Sequence, residues 1–255
     1  MQLRSAFVFL SALAVTTASP LGRRCGLGGN GNDTTDPGLP TPPSPSVTYV
    51  LPSTGGATSL PAPDAPLKHI VVGHGVQNYT CAAAGAAGKS IGALAVLYDI
   101  TGLYPGSGPR ALSPDDWNAL TSKVLRTTSQ PIIQTTGSSQ SPFPAPAALT
   151  VSGIPTPLPF LGHHFFDEAG VPTFELNNGA ELFKGAKLAN IAAPASADQG
   201  LSNEGAVDWL YLADKGTSVN ISKVYRVLTS GGNTTVCGAA GEAQSIPYTA
   251  MYWIY

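Results

Sequence analysis

The sequence predicts a mostly-β protein: an antiparallel β-sandwich or barrel-like domain with one short helix, preceded by a disordered N-terminal linker. Three observations lead there. Short runs rich in β-branched and aromatic residues recur after Leu67. Clusters of glycine, proline and asparagine separate them, such as Asn177-Asn178-Gly179 and Ser230-Gly231-Gly232-Asn233. Helical periodicity occurs at one place, so the strands do not alternate with helices as βα units would.

Taken in chain order, Met1–Ala18 has the parts of a secretory signal peptide. Arg4 supplies the positive start, Ala6–Val15 the apolar core, and Thr16 and Ala18 the small residues before a cut at Ser19. That core is shorter than the ~20 apolar residues a bilayer span needs, and no other run approaches it. The C-terminal Trp253-Ile254-Tyr255 lacks the tail of a lipid-anchor signal. The expectation is a secreted protein, extracellular or in the cell wall, with no membrane association after signal cleavage. Arg23-Arg24 reads equally well as a second processing site or as two solvated arginines.

Residues Ser19–Leu67 hold many of the 23 prolines and few large apolar side chains, which predicts a disordered linker. Lys68–Tyr255 is then a single β-rich domain, long enough to bury a core. Its expected strands are Lys68–Gly73, Val76–Cys81, Ala93–Ile100, His163–Phe166, Pro172–Leu176, Leu182–Ile191, Val207–Ala213, Val219–Leu228 and Tyr248–Tyr255. The helix begins at Ser113, a capping residue, with Pro114 in the first helical position and Asp115-Asp116 at the positive end of the dipole. Trp117, Leu120, Val124 and Leu125 share one face, which should close one side of the sheet system. Gly137–Pro159, rich in Pro, Ser and Ala, reads as a long surface loop.

Composition narrows the partners. Only 11% of residues are charged, the net charge is −2, and no basic block occurs, which excludes a nucleic-acid binder of the usual kind. Four N-glycosylation sequons, at Asn32, Asn78, Asn220 and Asn233, fit the secretory route.

Candidate chemistry is sparse. Gly88-Lys89-Ser90-Ile91-Gly92 matches the nucleophile-elbow pattern, and Ser90, then Asp99, Asp115 or Asp116, then His163 or His164 would follow the hydrolase order of serine, acid and base. The elbow needs a strand before the serine and a helix after it, whereas here small residues precede and a strand follows, so a glycine turn is the expectation. Gly73-His74-Gly75 invites a dinucleotide reading, but Asn78 stands where the third glycine belongs and no amphipathic helix follows. A glycine-rich β-turn is expected there, and no cofactor. His163 and His164 are adjacent and point to opposite faces of a strand, so they cannot share a metal ion. One of them with Glu175 or His74 is the remaining arrangement, and no metal site is expected.

Several phrases carry a family resemblance. Gly75-Val76-Gln77-Asn78-Tyr79-Thr80-Cys81, Tyr225–Gly232 followed by Cys237, and Tyr248–Tyr255 resemble phrases of the domain-of-unknown-function 3455 family. Ala206-Val207-Asp208-Trp209-Leu210 adds a weaker match. His164 and Pro172-Thr173-Phe174-Glu175 resemble a further stretch, with Phe174 where the family usually has tryptophan. The resemblance covers Lys68–Tyr255. It implies a β-rich secreted protein of fungal or bacterial type without an established activity, often labelled malate dehydrogenase in fungi. The incomplete nucleotide fingerprint and the antiparallel β pattern argue against that label.

The reading that results is a secreted or wall-associated β-sandwich with a binding or structural role, its expected partners being cell-wall or host glycans. Trp209, Tyr211, Tyr252 and Trp253 serve either as a sugar-stacking platform or, by the usual habit of aromatics, as core. The alternative is a small extracellular hydrolase using Ser90 and a histidine. Oligomeric state has no signature in the sequence. The three cysteines allow three pairings, and context selects Cys81–Cys237. Cys25 lies in the linker, whereas Cys81 closes a strand on which Gln77, Tyr79 and Cys81 share the inward face and Asn78 points out.

Overall fold

The computed structural model describes residues 47–56, 58–133 and 141–255. The expected signal peptide, Arg23-Arg24, Cys25, Asn32 and the part of the expected linker up to residue 46 lie outside the described residues. Eight strands form a closed antiparallel barrel in chain order: β1 (His69–Thr80), β2 (Lys89–Asp99), β3 (Phe160–Phe166), β4 (Pro172–Leu176), β5 (Glu181–Ile191), β6 (Trp209–Asp214), β7 (Lys223–Gly231) and β8 (Ala243–Ile254). Each strand pairs with its sequence neighbours, and β8 closes the ring by pairing with β1 from His69↔Ile254 to Thr80↔Ala243. Of the two architectures the sequence allowed, the sandwich is therefore replaced by the barrel. Closure leaves no sheet edge unpaired at β1 or β8.

The strands alternate between two hydrophobic clusters. Inside the barrel, Val71, Leu97, Phe174, Phe183, Tyr248 and Tyr252 pack together. Outside it, Ile70, Val72, Val96, Tyr225, Met251 and Trp253 pack under the helices and loops. β1, β2, β7 and β8 are thus buried on both faces, which is why Ala93–Tyr98 and Tyr248–Tyr255 read as nearly unbroken apolar runs. β5 alternates instead, because its outer face meets solvent.

The helix forms where the capping signals place it. Ser113 Oγ accepts from the Asp116 N–H at 3.1 Å, and Trp117, Leu120, Val124 and Leu125 are all buried against the outer face of the barrel. It is divided at Ala119 into α1 (Pro114–Asn118) and α2 (Leu120–Thr127), where the Ala119 N–H is shared between the Asp115 and Trp117 carbonyls. The part of Gly137–Pro159 that is described does more than cover surface. Val151, Ile154 and Leu158 enter the outer cluster, and Leu149 and Leu158 form a small antiparallel bridge. Residues before β1 also dock. Tyr49 packs on Tyr104 with centroids 4.9 Å apart, the Val50 N–H donates to the Tyr104 hydroxyl, and Leu51, Leu60 and Leu67 join the outer cluster.

Two glycine-rich segments differ from expectation. Gly73-His74-Gly75 is not a turn; it lies in the middle of β1, which runs unbroken through both strands the sequence suggested. A β-carbon at Gly73 would stand 2.6 Å from the Tyr252 ring, and one at Gly75 would overlap the Leu94 carbonyl oxygen. The glycines are there for close approach rather than for reversal. Likewise Lys89–Gly92 begins β2 instead of ending a turn, with the register slip between Asn78 and Tyr79 taken up opposite Gly92.

Candidate functional site

An eight-stranded barrel has an interior just wide enough to be filled by side chains or to hold one small ligand. This one does both. Phe174, Phe183, Leu97 and Tyr248 fill one part. Toward the other end the inward positions become smaller or polar, and a cavity of about 440 Å³ opens between them. Every strand contributes to its wall: Gln77 and Tyr79 from β1, Ser90 and Ala93 from β2, His164 and Phe166 from β3, Pro172 from β4, Lys187 from β5, Leu210 and Leu212 from β6, Arg226 from β7 and Tyr252 from β8. That volume lies within the range of small-molecule sites, and the mix of apolar wall and few polar groups is typical of them.

The polar groups fall into two sets. Some are satisfied within the protein. The Tyr79 hydroxyl donates to the Gly232 carbonyl at 2.7 Å, and the Tyr248 and Tyr252 hydroxyls bond each other at 2.8 Å. Burial raises the pKa of both tyrosines of that pair, so both stay protonated. His164 donates from Nδ1 to the Thr173 carbonyl at 2.8 Å and stacks on Phe174 with centroids 4.0 Å apart. Burial pushes its pKa down to about 4, so the ring is neutral near neutral pH and its Nε2 is a lone-pair acceptor.

Others are not satisfied. Gln77 is buried, and its Nε2 has no hydrogen-bond partner among the described residues. Arg226 is 9% exposed. Its Nε donates to the Asp208 carbonyl at 3.0 Å, but among the described residues no carboxylate lies within ion-pair distance of the guanidinium. The Asp208 carboxylate, at the rim, accepts instead from Asn190 Nδ2 at 2.7 Å.

A larger groove, about 990 Å³, lies outside the barrel along α1, α2 and Pro52–Thr54. Asp115 on it is exposed to solvent, and its one cation is already matched, since Arg126 holds Asp198 through Nε at 2.6 Å and Ser122 donates to the same carboxylate. The barrel cavity is the better candidate because its cation and its amide are not.

The structure separates the residues singled out in the sequence. His163 and His164 point to opposite faces, as alternation requires. His163 is on the outer face, stacked on Phe143 at 4.1 Å, and Glu175 is its exposed register partner. His74 is also on the outer face, with Nδ1 3.2 Å from Thr128 Oγ1, so the barrel wall stands between it and His164. No group of three or more His, Cys, Asp or Glu able to hold a metal occurs among the described residues. Ser90 is exposed at the start of a strand and not on a strand-to-helix elbow, but it shares the cavity with His164. Gly73-His74-Gly75 is followed by β2, so no helix N-terminus is offered to a pyrophosphate there.

Cys81 and Cys237 form a disulfide. It joins the β1–β2 and β7–β8 connections beside the cavity, where Gly85 N–H also bonds the Cys237 carbonyl. Asn220 and Asn233 are exposed and Asn78 is half-buried, accepting from Ser245 Oγ at 2.7 Å. Trp209, Tyr252 and Trp253 are buried, and Tyr211 stacks on Tyr225, so these aromatics belong to the packing. Gln77, Tyr79 and Arg226 were not read as site residues in the sequence. A signal was present: an arginine at an inward position of an apolar strand, two residues from Val224, is costly unless it is used.

The phrases that carry the family resemblance converge on this cavity, with Gln77 and Tyr79 from one, Arg226 from the second, Tyr252 from the third, and Asp208 and His164 from the weaker two. No curated protein and no solved structure matches the chain. A family model described as Protein of unknown function (DUF3455) matches residues 61–255, which include the whole barrel, both helices and the disulfide. The chain belongs to the DUF3455 family.

Proposed function

We propose that this is a secreted binding protein that takes a small ligand into the mouth of its barrel. The observation that carries the reading is the cavity of about 440 Å³ whose wall holds a buried amide nitrogen without a partner and a buried guanidinium without a carboxylate among the described residues. Buried polar groups are ordinarily paired, and a group left free in a cavity is suited to a ligand. Secretion is supported by the N-terminal signal pattern, the sequons and the disulfide, which needs an oxidising compartment. A glycan partner remains part of the proposal in a narrowed form. The aromatics weighed as a surface platform pack in the core, so a sugar would be met as one small unit in the cavity.

Filling the cavity tests the reading. Ala93, buried and facing the cavity, becomes phenylalanine, and thermal stabilisation is measured against a panel of neutral sugars and small organic acids. Wild-type protein is expected to show saturable stabilisation by at least one compound that Ala93→Phe loses. Identical responses of the two proteins to the whole panel would remove the cavity from consideration.

A hydrolase using Ser90 and His164 is a second reading, favoured by their sharing the cavity. The His164 Nδ1 proton is held by a backbone carbonyl rather than by a carboxylate, which leaves the imidazolium of such a mechanism without a counter-charge. The expected outcome with a fluorophosphonate probe is no labelling. Stoichiometric labelling at Ser90 would establish the hydrolase instead.

A further inference from the structure

We infer that the barrel cavity selects a small hydroxylated monocarboxylic acid, whose carboxylate is held by Arg226 and Gln77. The inference rests on the cavity-binding reading above and names its ligand class.

A guanidinium does not lose its proton in a protein, so Arg226 remains a cation although it is 9% exposed. Removing a charge from water is costly unless an opposite charge or several hydrogen bonds replace the lost hydration. Within the described residues Arg226 donates from Nε to the Asp208 carbonyl and faces the Tyr252 hydroxyl, both neutral partners, so its charge has no opposite charge to meet and its fork keeps donors for a ligand. The groups facing it from neighbouring strands do not neutralise it. Tyr252 stays protonated, His164 is neutral, and the Asp208 carboxylate is engaged by Asn190.

Geometry then selects among anions. The planar guanidinium fork matches two carboxylate oxygens, and Gln77 Nε2 is a further donor on the same cavity wall without a partner. Arg226 is the buried cation, while exposed Lys187 and the acidic side chain of Asp208 offset each other in charge on the same wall, and a net single positive charge fits a single negative charge better than the double charge of phosphate or sulfate. The rest of the wall describes the rest of the ligand. Ala93, Leu210, Leu212 and Phe166 offer an apolar surface for a compact carbon skeleton. His164 Nε2 offers a lone pair, so a hydroxyl on that skeleton has an acceptor. Sugar acids and aromatic hydroxy acids both have this chemistry.

The experiment measures binding to the purified mature protein by calorimetry. Its probes are D-glucuronate and mandelate, each beside the neutral analogue in which CH₂OH replaces the carboxylate, and inorganic sulfate. At least one acid is expected to bind saturably and about tenfold or more tighter than its alcohol, as charge-assisted hydrogen bonds imply. Which acid binds distinguishes a sugar source from an aromatic one. Arg226→Lys, which keeps the charge and loses the fork, should erase most of that preference. Gln77→Leu should reduce it by a smaller factor, and Ala93→Phe should abolish binding while leaving Arg226 in place. Should Arg226→Lys or Gln77→Leu fail to fold, as judged by circular dichroism, the acid-to-alcohol ratio in the wild type and the Ala93→Phe control decide alone. Equal binding of acid and alcohol, or binding of sulfate as tight as that of either acid, overturns the inference. If such binding is lost in Ala93→Phe, the cavity-binding reading survives it. No saturation by any probe overturns this inference, and the barrel-mouth reading falls with it if the wider panel also fails.

Discussion

At the scale of single residues, the buried histidines define a pH dependence. Burial pushes His74 and His164 down to about 4 from an ordinary value of 6.5, and burial lowers His163 in the same direction. Below the unfolded pKa, the unfolded chain takes up protons that the folded chain refuses. Stability is therefore complete above about pH 6.5 and is lost as pH falls toward the folded values, by at most on the order of 3 kcal/mol for each of His74 and His164. Carboxylates such as Asp167 and Glu242, already held below their ordinary values by hydrogen bonds, contribute further down. Urea unfolding is expected to show a midpoint that declines steadily between pH 6.5 and 4.5, with a shallower decline in His164→Gln. A flat profile across that window would show that these rings are not buried as neutral groups. The alternation of inward and outward side chains that separates His163 from His164 was legible in the sequence. Their desolvation was not, because it depends on Phe174, Tyr252 and Phe143 arriving from elsewhere in the chain.

At the scale of elements, β1 and the helix pair show how far local chemistry goes. Ser113 caps as its residue type and position suggest, and Ser113→Ala is expected to cost about 1 kcal/mol in thermal or chemical unfolding. An unchanged stability would mean that the following Asp115 and Asp116 suffice. Gly75 makes a different case. A β-carbon there meets main chain in β2, which cannot rotate away as a side chain could. Gly75→Ala is expected to destabilise by about 3 kcal/mol, the upper end for overpacking, where a mid-strand alanine usually helps. A neutral or stabilising Gly75→Ala would contradict the observed approach of β1 and β2. The sequence offered Gly-His-Gly as a turn because local propensity is identical for a glycine that reverses the chain and one that admits a neighbour.

At the scale of the whole molecule, the disulfide and the barrel closure act on the same end. Cys81–Cys237 spans 156 residues of sequence while β1 and β8 are already paired alongside it. Replacing both cysteines with serine is expected to cost roughly 2–5 kcal/mol. Faster amide exchange should appear first in the β1–β2 and β7–β8 connections around the cavity. Unchanged unfolding and exchange would show that the hydrogen bonds of Cys237 with Gly85 and Ala86 hold the rim without the disulfide. The sequence by itself determined where most strands lie, the helix cap, the inward face shared by Tyr79 and Cys81, and membership in a β-rich class, but not that β1 runs unbroken through Gly73-His74-Gly75. These follow from period-two alternation, turn residues and capping, all of which act over a few neighbouring positions. Only the tertiary structure decided that the sheet closes as a barrel, since the pairing of β8 with β1 leaves no local mark that distinguishes it from a sandwich edge. The same closure gathers Gln77, His164, Arg226 and Tyr252 around one cavity, and no spacing along the chain could announce a site whose parts meet only when the ring of hydrogen bonds is complete.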